Sequence, residues 1–226
     1  QQQYAEARSA LGRLVDKYDF SALSEADRVK LEASKLSGVV KETAVELVAK
    51  AQLLIGDSYT AEGDVEGATT AYQRVIADYA RERDLVEEAY VKIGEAHFAQ
   101  DDLESGIQVY RRAIDEVSAP GFRARMQARI ARCYYEAGQF SEAMTEYEIY
   151  ITAYGHISRE GRLSIDRARF MAAQSLFEMA EAQRTAGEDA KPAYLRSQSA
   201  YETVIGETPT TDLQGESLFG AGLAAQ

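Results

Sequence analysis

Two histidines, one cysteine and a few paired carboxylates are the residues of this chain that could do chemistry. His97 and His156 stand far apart, and neither lies in a His-x-x-x-His pattern that would set two imidazoles on one helix face for a metal. Cys133 has no histidine at a spacing that makes a nucleophile pair, and a lone cysteine excludes an internal disulfide. Glu87-Glu88 and Asp101-Asp102 could serve as acid and base, but in a chain this rich in charge such pairs read as solvated faces. Gly220-x-Gly222 is too little for a phosphate loop, and there is no nucleophile elbow. The expectation is therefore no catalytic residue, no metal site, no cofactor and no enzyme.

Recognition chemistry is better supplied. Arg123, Arg125, Arg129 and Arg132 put four cations on one predicted helix, and Arg125, Arg129 and Arg132 share a face at i, i+4, i+7. A guanidinium forks onto a carboxylate, so the row reads either as a solvated face or as a docking patch for an acidic segment. Asp57, Glu88 and Glu95 supply charges of the opposite sign on the preceding predicted helices. The net charge of −12 disfavours nucleic acid, whose phosphates require basic stripes. No apolar run approaches the roughly 18 residues of a membrane span, so this segment is not expected to insert.

The elements that position these residues repeat. Ala68, Tyr72, Val75-Ile76 and Tyr79 recur as Gly106, Tyr110, Ala113-Ile114 and Val117, and again as Ala143, Tyr147, Tyr150-Ile151 and Tyr154. Ala7, Leu11, Leu14-Val15, Tyr18 and, more loosely, Ser197, Tyr201, Val204-Ile205 follow the same order. Ala68 to Gly106 is 38 residues and Gly106 to Ala143 is 37, whereas the outer intervals are 61 and 54 and so carry insertions. A preceding helix repeats too: Ile55-Gly56 and Tyr59, then Ile93-Gly94 and His97-Phe98, then Ile130-Ala131 and Tyr134-Tyr135. Turns follow at Gly63-Asp64, Asp101-Asp102 and Gly138-Gln139. Small and large apolar residues at helical intervals on both sides of a turn are what two antiparallel helices need to touch closely.

These residues resemble the tetratricopeptide repeat, whose signature runs Leu-Gly, Tyr, a small residue, an aromatic and then Pro. The match is divergent: there is no Trp, the period exceeds the usual 34, and Ala80 stands where Pro is common. The resemblance implies an all-α, right-handed superhelical solenoid of antiparallel helix pairs, about four repeats with partial ones at both ends. It also implies that first helices line a concave face. Carried over by position, that face holds Lys50, Leu53, Asp57 and Thr60, then Glu88, Val91, Glu95 and Phe98. Arg125, Ala128, Arg132 and Tyr135 follow, then Gln174, Phe177, Glu181 and Arg184, with Arg129 joining through the arginine row. The Lys/Asn set that clamps a peptide carboxylate in chaperone-binding members is absent.

The expected organisation of 1–226 is a single solenoid fragment cut from a longer protein. A partial repeat (1–24) precedes an inserted or long helix (25–48), repeats 49–83, 84–120 and 121–157, an insertion-bearing repeat (158–209) and a partial repeat (210–226). Helices are expected over 65–83, 85–100, 103–118, 122–137, 141–154, 162–186 and 190–205, with a loop at 155–158 and no strand, since no segment alternates with period two.

The implied function is a non-catalytic scaffold that binds a protein, peptide or helix on the concave face. The rhythm Ala-x-x-x-Tyr-x-x-Val-Ile-x-x-Tyr resembles bacterial envelope members, the outer-membrane assembly lipoproteins and the Tol-Pal coordinator. That places the protein in the periplasm or envelope, with the cytoplasm as the alternative. Alternative functions are a self-associating array and a regulatory domain of a larger enzyme.

Overall fold

A computed structural model of the chain describes residues 2–17, 44–157, 164–207 and 212–224. Ten α-helices stand among them: α1 (Gln2–Lys17), α2 (Ala44–Glu62), α3 (Val65–Asp78), α4 (Arg83–Phe98), α5 (Leu103–Glu116), α6 (Pro120–Glu136), α7 (Phe140–Tyr154), α8 (Ile165–Thr185), α9 (Lys191–Glu207) and α10 (Asp212–Ala224). A 3-10 turn, Gly155–Ile157, occupies the expected loop. No strand occurs among the described residues, so the fold is all-α. The chain divides into two compact units, residues 1–109 and 110–226, and the division falls inside α5.

Each pair of helices is closed in the same way. At the α2–α3 turn, the Gly63 N–H donates to the Thr60 carbonyl and the Asp64 N–H to the Tyr59 carbonyl. Equivalent pairs of bonds close the turns at Asp101-Asp102, Gly138-Gln139 and Gly187-Glu188. This double bond pattern satisfies the last carbonyls of a helix and requires a left-handed residue just beyond it. Gly63, Gly138 and Gly187 supply it with φ near +75°, and Asp101 adopts it at φ 58 despite its side chain. The next helix then starts with its own cap: the Asp64 carboxylate accepts from the Gly67 N–H at 2.8 Å.

In the first unit α1 packs on α2, and α3 packs on both α2 and α4. The core between them holds Val48, Ala49, Leu53, Ala68, Tyr72, Val75, Ala89 and Ile93. The Tyr72 ring crosses α2 where Gly56 lacks a side chain; a Cβ there would lie 2.2 Å from Cε1 of the ring. In the second unit α7 packs between α6 and α8, and α9 between α8 and α10. Tyr147 and Tyr150 fill the first of these cores, Phe170 and Tyr201 the second. Tyr201 uses Gly220 as Tyr72 uses Gly56, with a Cβ at that glycine only 2.6 Å from its ring.

Several helix ends differ from expectation. The helix expected to reach Arg83 stops at Asp78, where the Tyr79 N–H makes the closing bond to Val75, and α4 begins two residues before the expected Leu85. Pro120, expected in a break, opens α6 at its first position, where its missing N–H leaves no bond unmade. α8 begins at Ile165 because the Ser164 hydroxyl caps it by accepting from the Arg167 N–H at 3.1 Å. The expected inserted helix lies mostly outside the described residues.

Candidate functional site

The first unit's expected surface residues lie on α2 and α4. Leu53 is an exception, since it is only 4% exposed and belongs to the core among Ala68, Tyr72 and Val75. Its side chain is used for packing and is not offered to a partner. The rest keep half-buried or exposed positions: Lys50, Asp57, Val91 and Phe98 are half-buried, Glu88 and Glu95 exposed. Lys50 pairs with Glu46 one turn back at 3.1 Å. Phe98 lays its ring over Gly106, where a Cβ would come within 2.6 Å.

Asp57 and Glu88 are brought together by a residue absent from the expected set. The Lys92 ammonium lies 2.8 Å from Asp57 and 3.6 Å from Glu88, linking α2 to α4. Asp57 also accepts from the Tyr72 hydroxyl at 2.7 Å, and Thr60 lies 3.1 Å from the same hydroxyl. Burial raises the Tyr72 hydroxyl well above its ordinary range, with Thr60 opposing and Asp57 adding to the rise. Burial acts to lower the Lys92 ammonium, and the two carboxylates outweigh it and raise it. The i, i+4 spacing of Glu88 and Lys92 was visible in the sequence; the link to Asp57 needed the two helices side by side.

The arginine row of α6 does not form one free cationic face. Arg125 lies 5.4 Å from the Phe122 ring and Arg129 6.0 Å from the Tyr110 ring, so both spread over aromatic surface. Arg132 is exposed and pairs with Glu136 at 3.3 Å. Tyr135 is half-buried, edge-on to Phe140 at 5.4 Å, and burial raises its hydroxyl while a hydrogen bond with Gln174 opposes. The Tyr201 hydroxyl donates to the same Gln174 at 2.5 Å. Tyr135, Gln174 and Tyr201, from α6, α8 and α9, thus meet at one amide.

Further along α8, Phe177, Glu181 and Arg184 come together at a cleft of about 700 Å³, with Lys191, Tyr194, Leu195 and Gln198 of α9 and Leu223 and Ala224 of α10. The Phe177 and Tyr194 rings stand edge to face at 5.8 Å. Glu181 takes a hydrogen bond from Tyr194 and an ion pair from Arg184 at 2.6 Å, and Arg184 first, then Tyr194, holds its carboxyl below the usual range.

Sequence reading missed a buried polar network. Glu146 is 6% exposed and lies 2.6 Å from Arg111 of α5 and 2.6 Å from the Gln127 amide, which also donates to the Glu146 carbonyl at 3.2 Å. Gln52 makes the equivalent bond to the Ala71 carbonyl at 3.1 Å, across the same separation of 19 residues. The signal was Gln52 and Gln127, each four residues before a small residue, Gly56 and Ala131, that is itself buried. His97 has a local partner, with Nδ1 3.1 Å from the Asp102 carboxylate. Among the described residues no group of three potential ligands could hold a metal.

Comparison with known proteins agrees with this geometry. The tetratricopeptide repeat family model matches residues 53–121 and, overlapping them, 91–156. Comparison with curated proteins finds no match. Among solved structures, the chain is similar to a Podosopora anserina protein described as kinesin light chain with nearly identical TPR-like repeats, at 16% identity and TM-score 0.50 over 78% of this chain and 85% of that one. BtubC (BKLC) from P. vanneervenii follows at 14% identity and TM-score 0.42, covering 93% and 92% of the two chains. The TPR2AB domain of yeast Sti1, solved with pHSP90, stands at 16% and 0.39 over 100% of this chain and 81% of that one. At these identities the likeness is one of fold alone. Over residues 53–156 the chain is similar to tetratricopeptide repeats.

Proposed function

We propose that the protein is a non-catalytic scaffold that binds a partner protein, or a peptide or helix of one, on its first-helix surfaces. The observation that carries this reading is common to both units. A second-helix tyrosine passes over a glycine and fixes a polar residue of the first helix: Tyr72 fixes Asp57, and Tyr201 fixes Gln174. A surface whose polar groups are held from behind loses little conformational freedom on binding, and such preorganisation favours recognition. Mixed charge within each unit's own surface, Asp57, Glu88 and Lys92 in one and Arg132, Glu181 and Arg184 in the other, suits polypeptide segments carrying both signs.

The repeat rhythm supports a finer reading, a role in assembling a bacterial envelope complex. Capture from lysate of the native organism, with wild-type chain as bait against the Glu95→Lys, Arg132→Glu double variant, tests the scaffold. Both residues are exposed, so the variant keeps its core. A protein retained by the wild type and lost with the variant is the expected result. Retention of nothing beyond the chain itself overturns the scaffold in favour of self-association.

A further inference from the structure

The cleft between α8, α9 and α10 is not accounted for by the packing of the second unit. Two stripes line it: Phe177, Glu181 and Arg184 at i, i+4, i+7 on α8, and Lys191, Leu195 and Gln198 at the same spacing on α9. Its volume of about 700 Å³ falls inside the roughly 300–1,000 Å³ typical of sites that enclose a ligand. Apolar surface is open within it. Leu195 is 56% exposed and Leu223 38%, beside the Phe177 ring that Tyr194 holds edge-on.

The charges decide what fits. Glu181 is already engaged twice, by the Arg184 guanidinium and by the Tyr194 hydroxyl, so the pair Glu181–Arg184 is internally neutral. The remaining cation is Lys191, exposed and one helical turn before Leu195, with no ion pair to any described residue. A cation beside an apolar opening is complementary to one carboxylate next to one large apolar side chain. A polyanion such as nucleic acid would instead meet the chain's net negative charge and the Glu181 carboxylate.

Resting on the scaffold reading above, we infer that this cleft is the anchor pocket for a peptide segment of the partner protein that presents a large apolar residue adjacent to Asp or Glu. The apolar side chain packs against Phe177, Leu195 and Leu223, and the neighbouring carboxylate meets Lys191.

Random peptides displayed on phage, panned against the whole chain, supply the probe, and an enriched peptide is then titrated by fluorescence anisotropy. The expected outcome is enrichment of sequences pairing Phe, Leu, Ile or Met with an adjacent carboxylate. Affinity for such a peptide should fall about tenfold or more in Leu195→Asp and about threefold to fivefold in Lys191→Glu. Both altered residues are exposed, so neither change disturbs the core. Enriched peptides that lack a carboxylate, affinity that survives Leu195→Asp, or a panning that enriches nothing would each overturn the pocket. A peptide that ignores the cleft variants but is lost with Glu95→Lys or Arg132→Glu overturns the pocket while leaving the scaffold in place.

Discussion

The Tyr72 hydroxyl donates to Asp57 at 2.7 Å after its ring has crossed α2 above Gly56. One aromatic side chain therefore fills the core of the first unit and sets the position of a charge on its surface. The arrangement depends on the glycine, because any Cβ would occupy space the ring already holds.

Gly56→Ala should accordingly destabilise the fold. Overpacking costs about 1–3 kcal/mol and the gain in helix propensity returns no more than about 1 kcal/mol, so a net loss near ~1–2 kcal/mol is expected. Gly12, inside α1, has open space around its Cβ position, and Gly12→Ala should stabilise by about 0.5–1 kcal/mol. Urea unfolding of the two variants checks both signs; a stabilised Gly56→Ala would mean that the ring does not lie where described.

Asp101 makes a second conformational prediction. It is the one left-handed residue among the four helix-pair turns that is not glycine. Asp101→Gly removes the Cβ penalty at the cost of added freedom in the unfolded chain, and a gain of about 0.5 kcal/mol is expected. Gly63→Ala, in the matching turn, should lose about 1 kcal/mol. Thermal unfolding midpoints moving in opposite directions would bear this out.

The two buried glutamines should differ in weight. Gln52→Met removes one amide bond to a carbonyl, and a cost of about 1 kcal/mol follows. Gln127→Met also strips a partner from the buried Glu146 carboxylate and leaves it only the half-exposed Arg111, so about 2–3 kcal/mol is expected. Equal effects in denaturant titrations would show that the Gln127–Glu146 bond adds nothing.

Alkaline pH should weaken the protein. Burial raises the hydroxyls of Tyr72 and Tyr201, and pushes that of Tyr147 from the ordinary 10.0 up to about 12. The folded chain keeps these protons where the unfolded chain releases them. The stability tied to them is fully present below pH 10.0 and declines as pH rises from there through about 12. Urea midpoints should hold steady up to that threshold and then fall, less steeply in a Tyr147→Phe variant.

Cys133 should be unreactive while the chain is folded. It is buried, and desolvation pushes its thiol from 9.0 up to about 11, which leaves about 100-fold less thiolate at neutral pH. Alkylation by iodoacetamide should be slow in buffer and fast in urea. Rapid labelling of the native chain would place the sulfur on the surface.

How far the sequence reached is clearest at particular residues. Tyr72, Tyr110, Tyr147 and Tyr201 were legible as packing positions because helical spacing alone repeats them, and all four are buried. The turns at Gly63, Asp101 and Gly138 were legible because a helix that reverses needs a left-handed residue there. Helix starts at Arg83 and Ile165 were not, since caps depend on single local bonds that several neighbouring residues could make.

The sequence by itself determined the all-α fold and the repeat of helix pairs, because small and aromatic residues at fixed intervals admit few other ways to bury their faces. Which side chains remain available to a partner was decided only by tertiary structure. Leu53 is withdrawn into the core, Arg125 and Arg129 lie over rings, and Lys92 joins Asp57 to Glu88. Those outcomes depend on which residue of a neighbouring helix stands opposite, and helical periodicity along one segment carries no information about that.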